Sequence, residues 1–217
     1  FMKKYFIISS FVLFLALALS QPVLAATLGQ KLAGKILLQV ESHGEAWYVN
    51  PKNLERYYLG RPADAFQIMK TLGLGITNQN LLKIPANLIL YQGTDTDGDG
   101  LPDEIEKSFG TDLNKTDTDN DGYSDGEELK NGFNPKDAGK LPLNNNFVEA
   151  QKGKILLQVE SFGQAWYVNP ANSTRYFLGR PEDAFLIMKK LGLGISNADL
   201  SQIRIASDSL QPLNDDI

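Results

Sequence analysis

The chain has 217 residues, 42% of them hydrophobic and 10% aromatic, and a formal net charge of −5. This composition can supply a buried core. With no cysteine and one histidine, the chain cannot build disulfides, thiolate zinc sites, iron–sulfur clusters or a cysteine nucleophile, and a histidine-based triad is disfavoured. The charge is unevenly distributed, because residues 94–137 hold 14 acidic and only 4 basic side chains. Such a block argues against a nucleic-acid partner, which would need a basic surface.

Residues 1–25 have the organisation of a signal peptide. Two lysines precede an apolar run at 5–19, and residues 23–25 place small or short side chains before a cleavage site at Ala26. We expect cleavage there, which would leave a mature chain with no membrane segment, secreted or at the surface of a bacterium. The alternative is an uncleaved membrane anchor, but a glutamine and a proline interrupt a stretch that is barely long enough to span.

The sequence repeats itself at a constant offset. Residues 34–84 align without a gap to residues 153–203, and 37 of the 51 positions are identical. Identity this high indicates two equivalent structural units. We therefore predict a first repeat module over 34–92 and a second over 152–206, with residues 138–151 as a linker before the second module.

Each module has the pattern of three strands followed by a helix. In the first module, alternating apolar residues predict a strand at 36–40, and aromatic and β-branched residues predict strands at 46–49 and 56–59. Pro62 begins a helix whose apolar residues form one stripe, and Gly73 ends it. The predicted fold class is α+β, with two small duplicated β-β-β-α modules flanking the acidic segment.

The acidic segment contains two loops of twelve residues, 95–106 and 117–128, that both match the pattern D-x-D-x-D-G-x5-E. Calcium takes 6–8 oxygen ligands, and this spacing wraps carboxylates around the ion with a glycine at the sharp turn. We predict two calcium sites, with backbone carbonyls at loop position 7 and a closing glutamate at position 12. The ligand positions are Asp95, Asp97, Asp99, Leu101, Asp103 and Glu106 in the first loop, and Asp117, Asp119, Asp121, Tyr123, Asp125 and Glu128 in the second.

Like charges this close oppose folding unless a cation neutralises them. At about 5 Å and an effective dielectric constant near 20, each pair of carboxylates repels by roughly 3 kcal/mol. An empty loop should therefore stay open. The alternative interpretation is that the segment is a solvated acidic linker that binds no metal. Magnesium fits these loops less well than calcium, because it prefers a smaller octahedral shell that keeps its waters.

The acidic segment, over residues 94–137, resembles bacterial thrombospondin type 3 repeats, whose loops are similar to EF-hand loops. The two loops recur every 22 residues, with room between them for only one short helix at 102–109 that Gly110 ends. The resemblance implies extracellular calcium binding in a compact, metal-organised spacer. Asp112 and Asn134 occupy equivalent positions after the two loops, and we favour turn or capping roles for them over metal ligation.

The modules share polar and aromatic residues that have two interpretations. In the structural one, the aromatic rings are core and Arg–Glu pairs tie strands together; in the functional one, Trp47 and Trp166 belong to a surface that binds a cell-wall glycan or a surface protein. We predict no catalytic residues, because Glu41 with Asp64 is the only acid pair that both modules share and nothing local activates either. The modules are similar to uncharacterised repeats of secreted bacterial proteins, a likeness that implies no activity.

The sequence therefore indicates a secreted or cell-surface calcium-binding protein in which Ca²⁺ makes a spacer between two modules rigid. The alternative is a cell-envelope adhesion or glycan-binding protein with purely structural calcium. A cell-wall-acting enzyme is a third and less favoured possibility.

Overall fold

A computed structural model describes residues 26–88, 91–207 and 209 of the chain. The predicted signal peptide lies outside these residues. The eight helices of the described part are α1 (Leu28–Lys31), α2 (Pro62–Leu72), α3 (Asn78–Leu81), α4 (Asp103–Phe109), α5 (Asp125–Asn131), α6 (Asn145–Gln151), α7 (Pro181–Leu191) and α8 (Asn197–Ser201). The strands are β1 (Ile36–Gln39), β2 (Ala46–Val49), β3 (Arg56–Tyr58), β4 (Leu74–Ile76), β5 (Ile155–Gln158), β6 (Ala165–Asn169), β7 (Thr174–Phe177) and β8 (Leu193–Ile195).

The two repeat modules exchange their last strands. Strands β1, β2 and β3 form an antiparallel meander, but the fourth strand of that sheet is β8, which comes from the second module and runs parallel to β1. Reciprocally, β4 of the first module pairs parallel with β5, and this second sheet has the order β4-β5-β6-β7. Each sheet is therefore completed by the other module, and the two modules form one folded unit.

The two halves also meet directly near their first strands. A Cβ added to Gly34 would lie 2.3 Å from the Cα of Gly153, so only glycine allows this approach, and both residues have positive φ of about 75°. The Tyr48 hydroxyl donates a hydrogen bond to the Gly153 carbonyl at 2.6 Å, and the Tyr167 hydroxyl donates one to the Gly34 carbonyl at 2.8 Å. Helices α2 and α7 pack beside these contacts, and the core between the halves is continuous.

The α+β fold class is confirmed, and the predicted strands and helix of each module occur within a residue or two of the expected ends. Two features differ from the expectation. The predicted modules end in a helix, whereas the structure adds β4 and β8, which belong to the opposite sheets. The predicted linker at 138–151 contains α6, whose first turn is capped by the Asn144 side chain accepting from the Phe147 amide at 3.0 Å.

The acidic segment accordingly does not separate two independent modules. It leaves the folded unit after Tyr91 and returns to it at α6, packing against the second sheet through residues of α4 and α5. The distance between the modules is set first by the exchanged strands rather than by the spacer alone.

Candidate metal centre

The first acidic loop brings three carboxylates together. One oxygen from each of Asp95, Asp97 and Asp99 lies within 4.8 Å of the others. Backbone amides hold the side chains in place, because Asp95 accepts from the Gly98 and Gly100 amides at 2.8 and 3.0 Å, and Asp99 accepts from the Leu101 amide at 2.7 Å. Gly100 has φ of +93°, a conformation that favours glycine, as the pattern predicted for loop position 6.

The second loop repeats this geometry with different residues. Asp117, Asp119 and Asp121 each supply an oxygen within 4.8 Å of the others. Asp117 accepts from the Asn120 and Gly122 amides at 2.7 and 2.9 Å. Two loops with the same hydrogen-bond pattern and the same converging oxygens constitute two candidate sites of one kind.

The aspartate at loop position 9 has a different role in the structure. Both oxygens of Asp103 accept from Thr96, from its amide and its hydroxyl, each at 2.9 Å. Asp125 accepts in the same way from Thr118 at 2.8 and 2.6 Å. Each aspartate begins a helix, so this pair of bonds fixes the start of the loop to the helix that follows it. The calcium-loop pattern does not specify these threonines, although an Asp-Thr-Asp sequence begins both loops.

The glutamates at loop position 12 are buried without sufficient partners. Glu106 and Glu128 are 0% and 5% exposed. Among the described residues, neither the Oε2 atom of Glu106 nor that of Glu128 has a hydrogen-bond partner, and the same holds for Oδ2 of Asp97. An unpaired buried carboxylate strongly opposes folding, so these oxygens require a ligand that the protein itself does not supply.

Without a bound cation, both glutamates therefore have raised pKa values. Burial, with the nearby charges of Asp97 and Asp99, raises the pKa of Glu106 to about 7. Burial together with Asp121 and Asp119 raises the pKa of Glu128 to about 7. Each carboxyl thus holds a proton to higher pH, in the absence of a cation, than an ordinary glutamate does.

The residues present fit calcium well. The candidate donors are all oxygens. Each loop supplies four carboxylates, three from its clustered aspartates and one from its buried glutamate. The buried oxygens without a hydrogen-bond partner in these loops belong to the same side chains. Ca²⁺ binds hard oxygen donors, and a twelve-residue loop with glycine at position 6 is a common way to supply them. In each site the three clustered aspartates and the closing glutamate would hold the ion.

The first loop is tied to the helix of the second. The Asp99 carboxylate accepts from the Gly126 amide of α5 at 2.9 Å. The backbones are so close here that a Cβ on Gly126 would lie 2.4 Å from the Asp99 carbonyl oxygen. Helix α5 also carries Glu128, so a side chain of one site stabilises the start of the helix that closes the other.

Helix α4 joins the first site to the core of the second sheet. It carries Glu106, and one turn later Phe109 packs edge-on against Trp166 with ring centroids 6.1 Å apart. The Arg175 guanidinium lies against both rings, 4.9 Å from the Phe109 centroid and 4.5 Å from the Trp166 centroid. The Ser108 carbonyl accepts from the Gln158 amide at 2.8 Å. The position of the closing glutamate and the packing over Trp166 therefore depend on the same short helix.

The remaining predicted ligand residues are placed as follows. The Leu101 side chain is buried in the core against the second sheet, whereas the Tyr123 side chain is exposed. Asp112 accepts from the Asn114 amide at 3.1 Å, which is the turn role that the sequence favoured. The Asn134 backbone amide donates a hydrogen bond to the Gly139 carbonyl at 2.9 Å.

The two tryptophans are core residues. Trp47 and Trp166 are 3% and 0% exposed, so neither ring offers a face for stacking against a sugar, and this part of the binding-surface hypothesis is wrong. A partner bound through other parts of the modules stays a prediction, as does the expectation that the chain has no catalytic residues. The His43 side chain lies exposed in a turn, and its Nδ1 atom is 3.7 Å from Oε1 of Glu45.

Comparison with known families and proteins adds one finding. Residues 95–114 and 117–138 each match the bacterial TSP3 repeat, which confirms the resemblance given by the loop motifs. Such repeats are of a calcium-binding type. No curated protein and no solved structure is detectably similar to the chain. Within the described part of the chain, no helix has the length and apolar character needed to cross a membrane.

Proposed function

We propose that this protein binds two calcium ions outside the cytoplasm, one in each acidic loop, and that the bound ions hold α4 and α5 against the second sheet. The observation that carries the proposal is the pair of buried glutamates whose Oε2 atoms have no partner among the described residues. A divalent cation at each loop would neutralise them together with the clustered aspartates. The match to the TSP3 repeat supports an extracellular setting, in which such repeats are typical.

The expected affinity suits that setting. Extracellular sites of this type have dissociation constants of about 0.1–1 mM. At about 2 mM calcium, a site with a dissociation constant of about 0.1 mM gains roughly 1.8 kcal/mol from each ion. This is enough to order a short segment such as α4 with its loop. Calcium would thus act as a structural ligand, and a role in adhesion or glycan binding at the cell envelope remains the alternative.

Isothermal titration of the purified protein tests the proposal. We expect two calcium ions per chain, with one lost in Glu106→Gln and the other in Glu128→Gln, because each substitution removes a charged closing ligand. Glu104→Gln and Glu127→Gln are the matched controls, since both residues are neighbours in the same helices with more exposed side chains, and they should retain both ions. Titration that detects no calcium binding to the unsubstituted protein would refute the proposal.

A further inference from the structure

The two modules present the same polar platform on their sheets. The first platform consists of Gln39, Trp47 and Arg56, and the second consists of the equivalent Gln158, Trp166 and Arg175. In both, the indole N–H donates to the glutamine side-chain oxygen, at 3.1 Å in the first and 2.8 Å in the second. In both, the arginine lies over the indole ring and donates from Nη1 to a leucine carbonyl, that of Leu200 or Leu81.

Among the residues that the structure describes, a cover is formed only over the second platform. The last turn of α4 lies on it, with the Phe109 ring against Arg175 and the Ser108 carbonyl accepting from Gln158. As a result Gln158 and Arg175 are each 1% exposed. Burial lowers the pKa of the Arg175 guanidinium to about 9, so this residue is still a cation at neutral pH, and it is stabilised by two aromatic rings rather than by an acid.

No helix in the described part of the chain covers the first platform in the same way. Gln39 and Arg56 are both partly exposed. In the part of the chain that the structure describes, Trp47 is the only ring over which the Arg56 guanidinium lies. The Gln39 side-chain amide donates to Asn197 at 2.6 Å, and the equivalent Gln158 donates to Asn78. Gln158 also donates to a helix carbonyl. Gln39 has no such bond among the described residues, and its second bond is a longer one, 3.3 Å, to the Ser42 hydroxyl.

We infer that the first platform is a docking site for a short helix of another polypeptide, one that ends in an aromatic residue. The covered second platform shows the chemistry of the occupant. An aromatic ring packs on the arginine, and a carbonyl of the last helical turn accepts from the glutamine. The partial negative charge at a helix C-terminus and the face of an aromatic ring both attract the partly exposed guanidinium of Arg56. This surface is separate from the calcium loops, so the inference does not depend on the proposed function.

A stapled peptide provides a probe of this chemistry. It would comprise residues 101–111 with a hydrocarbon staple joining positions 103 and 107, which lie off the buried face of α4, so that the peptide is helical without calcium. Its binding to the full-length protein would be measured by fluorescence anisotropy. We expect saturable binding below about 1 mM, weakened at least about tenfold when the peptide carries Phe109→Ala or when the protein carries Arg56→Ala.

The matched control is Arg204→Ala, which removes an exposed arginine whose side chain pairs with Glu55 instead of lying over Trp47, and it should leave the affinity unchanged. The peptide variant tests the unsubstituted protein, so the result does not depend on Arg56→Ala folding normally. Absence of saturable binding, or equal binding by the two peptides, would overturn the inference, as would equal weakening by Arg56→Ala and Arg204→Ala. So would self-association of the protein that requires Arg56, which would identify a second copy as the occupant. Binding that occurs only after deletion of residues 210–217 would assign the surface to that segment and also contradict the inference.

Discussion

At the scale of single residues, the loops combine two kinds of carboxylate that the sequence pattern does not distinguish. Asp103 and Asp125 are satisfied by threonine donors, whereas Glu106 and Glu128 are buried with an unpartnered oxygen among the described residues. The motif spacing predicted which side chains would converge. It could not assign position 9 to a structural role, because that depends on the orientation of a threonine side chain seven residues earlier.

The buried glutamates make stability depend on pH without calcium, and bound calcium should remove most of that dependence. In the calcium-free folded state the pKa of Glu106 and that of Glu128 are about 7, against an ordinary value of 4.5. The folded state therefore binds more protons than the unfolded state between these values, so its stability falls as pH rises through that window. In excess calcium the carboxylates are ionised ligands, so the folded state binds no extra protons and stability should be nearly independent of pH over the same window.

Thermal melts between pH 4.5 and 7.5, in a chelator and in millimolar calcium, would measure this difference. In the chelator, substitution of both glutamates by glutamine should largely remove the decrease, because the neutral amide does not titrate. A calcium-free melting temperature that rises steadily from pH 4.5 to 7.5 would contradict the assignment of these two groups.

At the scale of elements, helix α4 connects the first calcium loop to the second sheet. The sequence predicted this helix and its end at Gly110, and the glycine has φ of +76° as a C-terminal cap. What could not be predicted is the surface that the helix covers. Ser108 contacts Gln158 and Phe109 contacts Arg175, over sequence separations that no local pattern reports.

The two tryptophans give an internal comparison for this contact. Trp166 lies against Phe109 of α4, whereas Trp47 lies on the other sheet. We expect removal of calcium to change the emission of Trp166, because α4 loosens and water reaches the indole, and to leave that of Trp47 nearly unchanged. Fluorescence of the variants Trp47→Phe and Trp166→Phe, each with one remaining tryptophan, would measure the two separately. Equal responses of both tryptophans, or none, would contradict this coupling.

At the scale of the whole molecule, the strand exchange determines how the modules are held together. The repeat itself was evident from 37 identities, but β4 and β8 were not predicted. Each is a strand of three residues with glycine at its centre, Leu74–Ile76 and Leu193–Ile195, which is too short for a period-2 pattern. Their pairing also depends on the opposite module, a property that one repeat considered alone cannot reveal.

The exchange implies that the modules stay together after the acidic segment is cut. We expect limited proteolysis in a chelator to cleave between residues 111 and 118, in the turn between the two loops, leaving two fragments joined by the parallel pairs β1–β8 and β4–β5. On size-exclusion chromatography the nicked protein should elute with the intact one and separate only in denaturant. The uncut protein in calcium is the control. Separation of the fragments under native conditions would contradict the observed topology.

The central claim is that each acidic loop binds one calcium ion through its clustered aspartates and its buried glutamate. A crystal structure of the protein grown in millimolar calcium, with anomalous difference density, measures this most directly. We expect two peaks per chain, each at about 2.3–2.6 Å from carboxylate oxygens, one among Asp95, Asp97, Asp99 and Glu106 and the other among their equivalents in the second loop. Ordered loops with no anomalous peak, or glutamates turned away from the peaks, would contradict it.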